Sequence, residues 1–143
     1  MKATLKEALK VAMKSQDRLR METIRSLLSE IQYEEMNKSV DELPASDMIL
    51  VLQRELKKRQ EAIGFEEQAN RQDAKAKLLS EIAIIETFLP KQLGSDDLEK
   101  ILLEFKTSTP GAALNGAMKF LKEKYAGQYD GKSASEIAKR VLG

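Results

Sequence analysis

The side chains with chemistry to offer are few in kind. They are hydroxyls at Ser46, Ser95 and Ser133, adjacent carboxylates at Glu34-Glu35 and Glu66-Glu67, and basic residues gathered in three stretches. His and Cys are absent, which removes imidazole bases, thiolate nucleophiles, disulfides and every zinc site built from those ligands. A serine nucleophile would then need a lysine or a carboxylate as its base. Ser46, Ser95 and Ser133, three of the chain's ten serines, instead fall where a helix is expected to begin, and there a hydroxyl serves the free backbone amides. Neighbouring glutamates on a helix diverge by about 100°, so neither pair converges on one site, and both read as solvated helix surface. The sequence has no G-x-x-x-x-G-K-[ST] loop, no G-x-G-x-x-G and no clustered acidic metal motif, so nucleotide and divalent-ion chemistry has no evident seat. The expectation is a chain with no catalytic residues, no metal and no cofactor of its own.

Positive charge at helical spacing is what remains. Lys2, Lys6, Lys10, Lys14 and Arg18 recur four residues apart, a stripe that either solvates a helix face or engages phosphates. Arg54, Lys57, Lys58 and Arg59 are interleaved with Glu55 and followed by Glu61, which allows i, i+4 pairs such as Glu55 with Arg59. Lys119, Lys122, Lys124, Lys132, Lys139 and Arg140 fall within 22 residues. They surround turns at Gly127 and Asp130-Gly131, whose backbone amides can face a phosphate. Over the 143 residues 24 basic and 23 acidic side chains leave a net charge of +1, so total charge forces no partner.

These groups must be positioned by helices. Only 7 Gly and 3 Pro interrupt the chain, and apolar residues recur at three- and four-residue intervals, the pattern of an all-α, multihelical fold without strands. Seven helices are expected. Leu5, Leu9, Ala12 and Met13 share a face of the first. Asp17 caps the second, where Ile24, Leu27, Leu28 and Ile31 point inward. A polar loop containing Pro44 precedes a third helix that Ser46 caps and Gly64 ends or bends. Asn70 caps the fourth, whose Leu78, Ile82, Ile85 and Leu89 form an interhelical seam closed by Leu89-Pro90. A domain boundary is expected there, with an N-terminal helical subdomain over 1–90 and a C-terminal three-helix subdomain over 95–143. Ser95 opens the fifth helix, Thr109-Pro110-Gly111 turns into the sixth, and Ser133 with Glu136 forms a capping box for the seventh. No apolar run approaches the ~20 residues of a membrane span, and the expected location is the cytoplasm.

Taken in order, several short motifs resemble the GatB/YqeY family over nearly the whole chain. They are Asp17-Arg18-Leu19-Arg20 with Thr23-Ile24-Arg25, then Arg54-Glu55-Leu56-Lys57-Lys58-Arg59-Gln60-Glu61, Ala69-Asn70-Arg71-Gln72-Asp73, and Glu81 leading to Phe88-Leu89-Pro90-Lys91-Gln92-Leu93. The resemblance implies an all-helical fold of about four helices followed by a three-helix unit. It also implies a link to tRNA, because the second unit is similar to the tail region of the B subunit of the tRNA-dependent amidotransferase, a tRNA-holding element. Carbon–nitrogen ligase activity with glutamine as amide donor is associated with the family, the chemistry belonging to domains this chain lacks. The lysines Lys119, Lys122, Lys124 and Lys132 of the basic stretch, together with Asp130 and Gly131, which match the family pattern, are the candidate RNA-contacting residues. One position departs from the pattern: where the family resembles Gly-Lys-Val-Met, this chain has Asn115-Gly116-Ala117-Met118, so a lysine is replaced by Gly116. The leading expectation is therefore a tRNA-associated module with a protein partner in tRNA handling. The alternative is an interaction adaptor that offers the Leu78, Ile82, Ile85, Leu89 seam or the first helix to a partner.

Overall fold

Apolar residues at helical spacing, with few breakers between them, give seven α-helices and no strand in a computed structural model that describes all 143 residues. The chain forms two compact units, Met1–Leu89 and Pro90–Gly143. The first holds α1 (Lys2–Lys14), α2 (Arg18–Asn37), α3 (Ala45–Gln68) and α4 (Gln72–Glu86); the second holds α5 (Ser95–Ser108), α6 (Leu114–Lys124) and α7 (Gly131–Leu142). No helix is long and apolar enough to cross a membrane.

In the first unit Leu5 of α1 meets Ile24, Leu27 and Ile31 of α2, Met48, Val51, Leu52 and Leu56 of α3, and Ile82 and Ile85 of α4. α4 lies along α3 and α2, and α1 packs on α2. The seam read in α4 is thus filled from within: Ile82, Ile85 and Leu89 are buried in their own unit's core. This narrows the adaptor reading, because three of the four seam residues already supply the core, while Leu78 stays half-buried outside it and Val11 and Met13 of the first helix remain exposed. Each fully buried Leu or Ile here contributes roughly 1.5–3 kcal/mol relative to exposure.

The helix ends correct several expectations. α1, α2 and α3 each stop on a polar residue in the left-handed region, Gln16, Ser39 and Asn70, with φ of 58°, 54° and 58°. In each case the next amide reaches back into the last turn: Asp17 N–H donates to Ala12 O at 3.0 Å, Val40 to Glu35 O at 3.0 Å and Arg71 to Glu66 O at 2.9 Å. This satisfies carbonyls the helix would leave bare. Asn70 therefore ends α3 rather than capping α4, and Gly64 lies inside α3 without ending it. Asp17 caps α2 as expected, its carboxylate accepting from Arg20 N–H at 3.2 Å. The serines sit one to three positions inside their helices, while Pro44, Gly94 and Asp130 occupy the caps. Asp130 wins over Ser133 because a carboxylate is the stronger acceptor; it takes both the Ser133 N–H, at 3.3 Å, and the Ser133 hydroxyl, at 3.0 Å.

The second unit is built on Leu98 and Leu102 of α5, Ala117 and Leu121 of α6, and Ala134, Ile137 and Ala138 of α7. Met118, Phe105, Phe120, Tyr125 and Tyr129 pack around them, each half-buried. Three alanines in so small a core let α7 approach α5 and α6 closely. The turns beside α6 use glycine for the left-handed conformation, with Gly111 at φ 71° and Gly127 at φ 75°.

Candidate nucleic-acid interface

Which charges are available to a partner depends on which are already matched inside the fold. In the first unit most of the basic cluster is matched. Arg59, near the middle of α3, donates to the Glu55 carboxylate at 3.1 Å and to Glu81 of α4 at 3.2 Å, so the i, i+4 pair expected from the sequence forms and gains a second acid. Arg54 pairs with Glu34 at 3.3 Å, and Lys58 lies 4.0 Å from Glu55. Glu66 and Glu67 are held by Arg71 and Lys75, each at 2.8 Å.

Glu35 corrects the reading of Glu34-Glu35 as solvated surface. It is buried, 5% exposed, and its carboxylate accepts from Lys2 Nζ at 2.8 Å and 3.1 Å and from the Leu43 N–H at 3.0 Å. The Lys2 ammonium holds this carboxyl below its ordinary range; burial opposes the shift, and the Leu43 amide and Lys6 reinforce it. The group therefore stays ionised at neutral pH and ties the start of α1 to the loop after α2. The sequence carried a signal for this: Glu35 continues the buried row Ile24, Leu27, Ile31, and Glu55 continues Met48, Leu52 in the same way. An acid in a core register asks for a partner.

The second unit is arranged differently. Lys119, Lys122 and Lys124 on α6 and Lys132 on the first turn of α7 are all exposed, and none pairs with a carboxylate, the ion pair of this unit being Arg140 with Glu99 at 3.2 Å. Lys119 and Lys122 stand one turn apart on the same side of α6, whereas Lys124 and Lys132 flank the turn that joins α6 to α7. Lys124 Nζ lies 5.5 Å from the centre of the Phe120 ring. Asp130 is exposed and caps α7, and Gly131 opens that helix with empty space around its Cα. Sequence reading found the lysines but missed their aromatic neighbours, for which the i, i+4 spacing of Phe120 and Lys124 was the available signal.

The turn itself is fixed by the Leu-Pro-x-Gln-Leu segment. The Gln92 side-chain amide donates to Pro90 O at 2.9 Å and to Gly127 O at 2.7 Å, and the Leu93 N–H donates to Gln128 O at 2.6 Å. Other motif residues are also joined in space. The Arg20 guanidinium lies 5.8 Å from the Phe88 ring centre, a cation–π distance, and Arg59 meets Glu81. The motifs that carry the family resemblance thus hold the two units in shape.

A curated relative, "Altered inheritance of mitochondria protein 41, mitochondrial" from Lachancea thermotolerans, is 33% identical over 149 residues, covering 98% of this chain and 78% of the relative. The family model described as Yqey-like protein matches residues 2–142. A match of that extent, over a chain whose motif residues meet as pairs within each unit, places the protein in the Yqey-like protein family.

Proposed function

We propose that this chain is a tRNA-holding helical module without chemistry of its own, whose second unit meets the RNA through Lys119, Lys122, Lys124 and Lys132. The observation that carries the reading is their setting: four exposed, unpaired ammonium groups beside and around one hydrogen-bonded turn. Each lysine that neutralises a phosphate releases a counterion, so such a surface binds nucleic acid with a steep dependence on salt. Asp130 serves the RNA indirectly by fixing the start of α7, and Gly131 leaves the backbone there uncovered. Any part in glutamine-dependent amide transfer is that of a carrier acting with a catalytic protein partner in the cytoplasm, since a glutaminase needs an activated nucleophile.

The test is a gel-shift titration with bulk tRNA at two salt concentrations. Saturable binding at low salt that weakens sharply at the higher concentration is expected; no saturable binding at low salt contradicts the proposal. The isolated chain is expected to release no ammonia from glutamine.

A further inference from the structure

We infer that the second unit seats one unpaired nucleobase of an RNA strand over Gly116, against the rings of Phe105 and Phe120, with Lys119 and Lys124 on the adjoining phosphates. The inference rests on the RNA-holding reading above and adds the form of RNA that is held. Residues 116, 120 and 124 recur at i, i+4 spacing and line one stripe of α6, and that stripe presents in turn a bare backbone, an aromatic ring and an ammonium group.

The Phe120 ring stacks on Phe105 of α5 with centroids 5.0 Å apart and planes 26° apart. Tyr125 stands edge-on to Phe120 at 6.1 Å and 69°. All three rings are half-buried, so part of each is open to water. Gly116 is exposed, and nothing in its backbone requires glycine: its φ lies outside the left-handed region, and an added Cβ would stand 3.7 Å from Phe105 Cζ, an ordinary contact. Glycine is also a weak helix former. Its effect here is to leave a strip of α6 and the tip of the Phe105 ring uncovered, a gap suited to a flat group.

Aromatic side chains beside lysines are the means by which proteins hold single-stranded nucleic acid, the rings stacking on bases and the cations tracking the backbone. A base within a duplex is already stacked on both faces and cannot reach the gap, so the platform selects unpaired nucleotides. Lys124, already 5.5 Å from the Phe120 ring centre, and the exposed, unpaired Lys119 supply the charge.

The experiment uses the full chain and two labelled RNAs read by fluorescence anisotropy at one salt concentration. One is an unstructured strand of about 12 nucleotides, within the span such surfaces cover; the other is the same strand annealed to its complement. The single strand is expected to bind about tenfold more tightly. Gly116→Lys then separates two accounts. A surface acting by charge alone gains affinity for both RNAs, whereas the platform loses about tenfold for the single strand and nothing for the duplex, because the new side chain fills the gap. Phe120→Leu, with its fold checked by circular dichroism, is expected to abolish the preference as well; should it fail to fold, the exposed Gly116 position decides. Equal binding of the two RNAs by the native chain, or tighter binding of both by Gly116→Lys, overturns the platform alone. No binding of either RNA overturns the RNA-holding reading and the platform with it.

Discussion

Around α3 in the four-helix unit cations stand beside carboxylates, with Arg54 at Glu34, Arg59 between Glu55 and Glu81 and Arg71 at Glu66, as Lys2 does at Glu35. Lys6, Lys10, Lys14 and Arg18 of that unit are exposed and in no ion pair. Around the turn between α6 and α7, Lys119, Lys122, Lys124 and Lys132 have no such partner and stand in water. The two regions look alike in the sequence, each a short stretch dense in Lys and Arg. They differ because α3 carries acids one turn from its basic residues and packs beside helices that carry more, while the exposed side of α6 is mainly basic. Matched charge fixes how helices register; unmatched charge is left for something outside the chain.

The comparison is broken most forcefully at Arg59. Its side chain is 13% exposed and serves two acids, so Arg59→Ala leaves Glu81 without its cation and Glu55 with only the exposed Lys58 at 4.0 Å, at an expected loss of about 3 kcal/mol in urea unfolding. Lys119→Gln, on an exposed position with no partner, is expected to change stability by less than about 0.5 kcal/mol. If the two substitutions cost the same, the contrast between the units fails. Within the second unit charge does have a structural task at Asp130, and Asp130→Ala should cost about 1 kcal/mol through the lost cap of α7, measured as a fall in thermal midpoint.

Acid should separate the units more gently. The folded state holds the Glu35 carboxyl below its ordinary value of 4.5. Its contribution is thus fully present above that value and is lost as the pH falls through the lower folded one. Thermal midpoints followed downward from neutral pH should drop across this window, and Glu35→Gln should flatten the drop. An identical acid profile in the variant would remove Glu35 from the account.

Much of this was legible in the sequence, for physical reasons that differ from place to place. The apolar period fixed the seven helices and most core residues, because Ile24, Leu27 and Ile31, or Leu98, Ile101 and Leu102, share one face only on a helix. The i, i+4 spacing showed the Glu55–Arg59 pair. Helix ends were harder to see: α1, α2 and α3 close on Gln16, Ser39 and Asn70, and polar residues in the left-handed conformation leave no glycine to mark them. The partners of the buried Glu35 were hidden, because Lys2 and Leu43 are 33 and 8 residues away, and only the tertiary fold brings them together. The lysines of the candidate interface were visible as a group, but not the aromatic rings among them nor the Gln92 bonds that set their turn.

The most direct measurement is the salt dependence of tRNA binding for the native chain and for a variant in which Lys119, Lys122, Lys124 and Lys132 are all replaced by Gln. Displayed charge predicts a variant as stable as the native chain, weaker in binding, and with a log–log salt slope shallower by about 3, the sum of four lost phosphate contacts. An unchanged slope would contradict it, since the cations that meet the RNA would then lie elsewhere on the molecule.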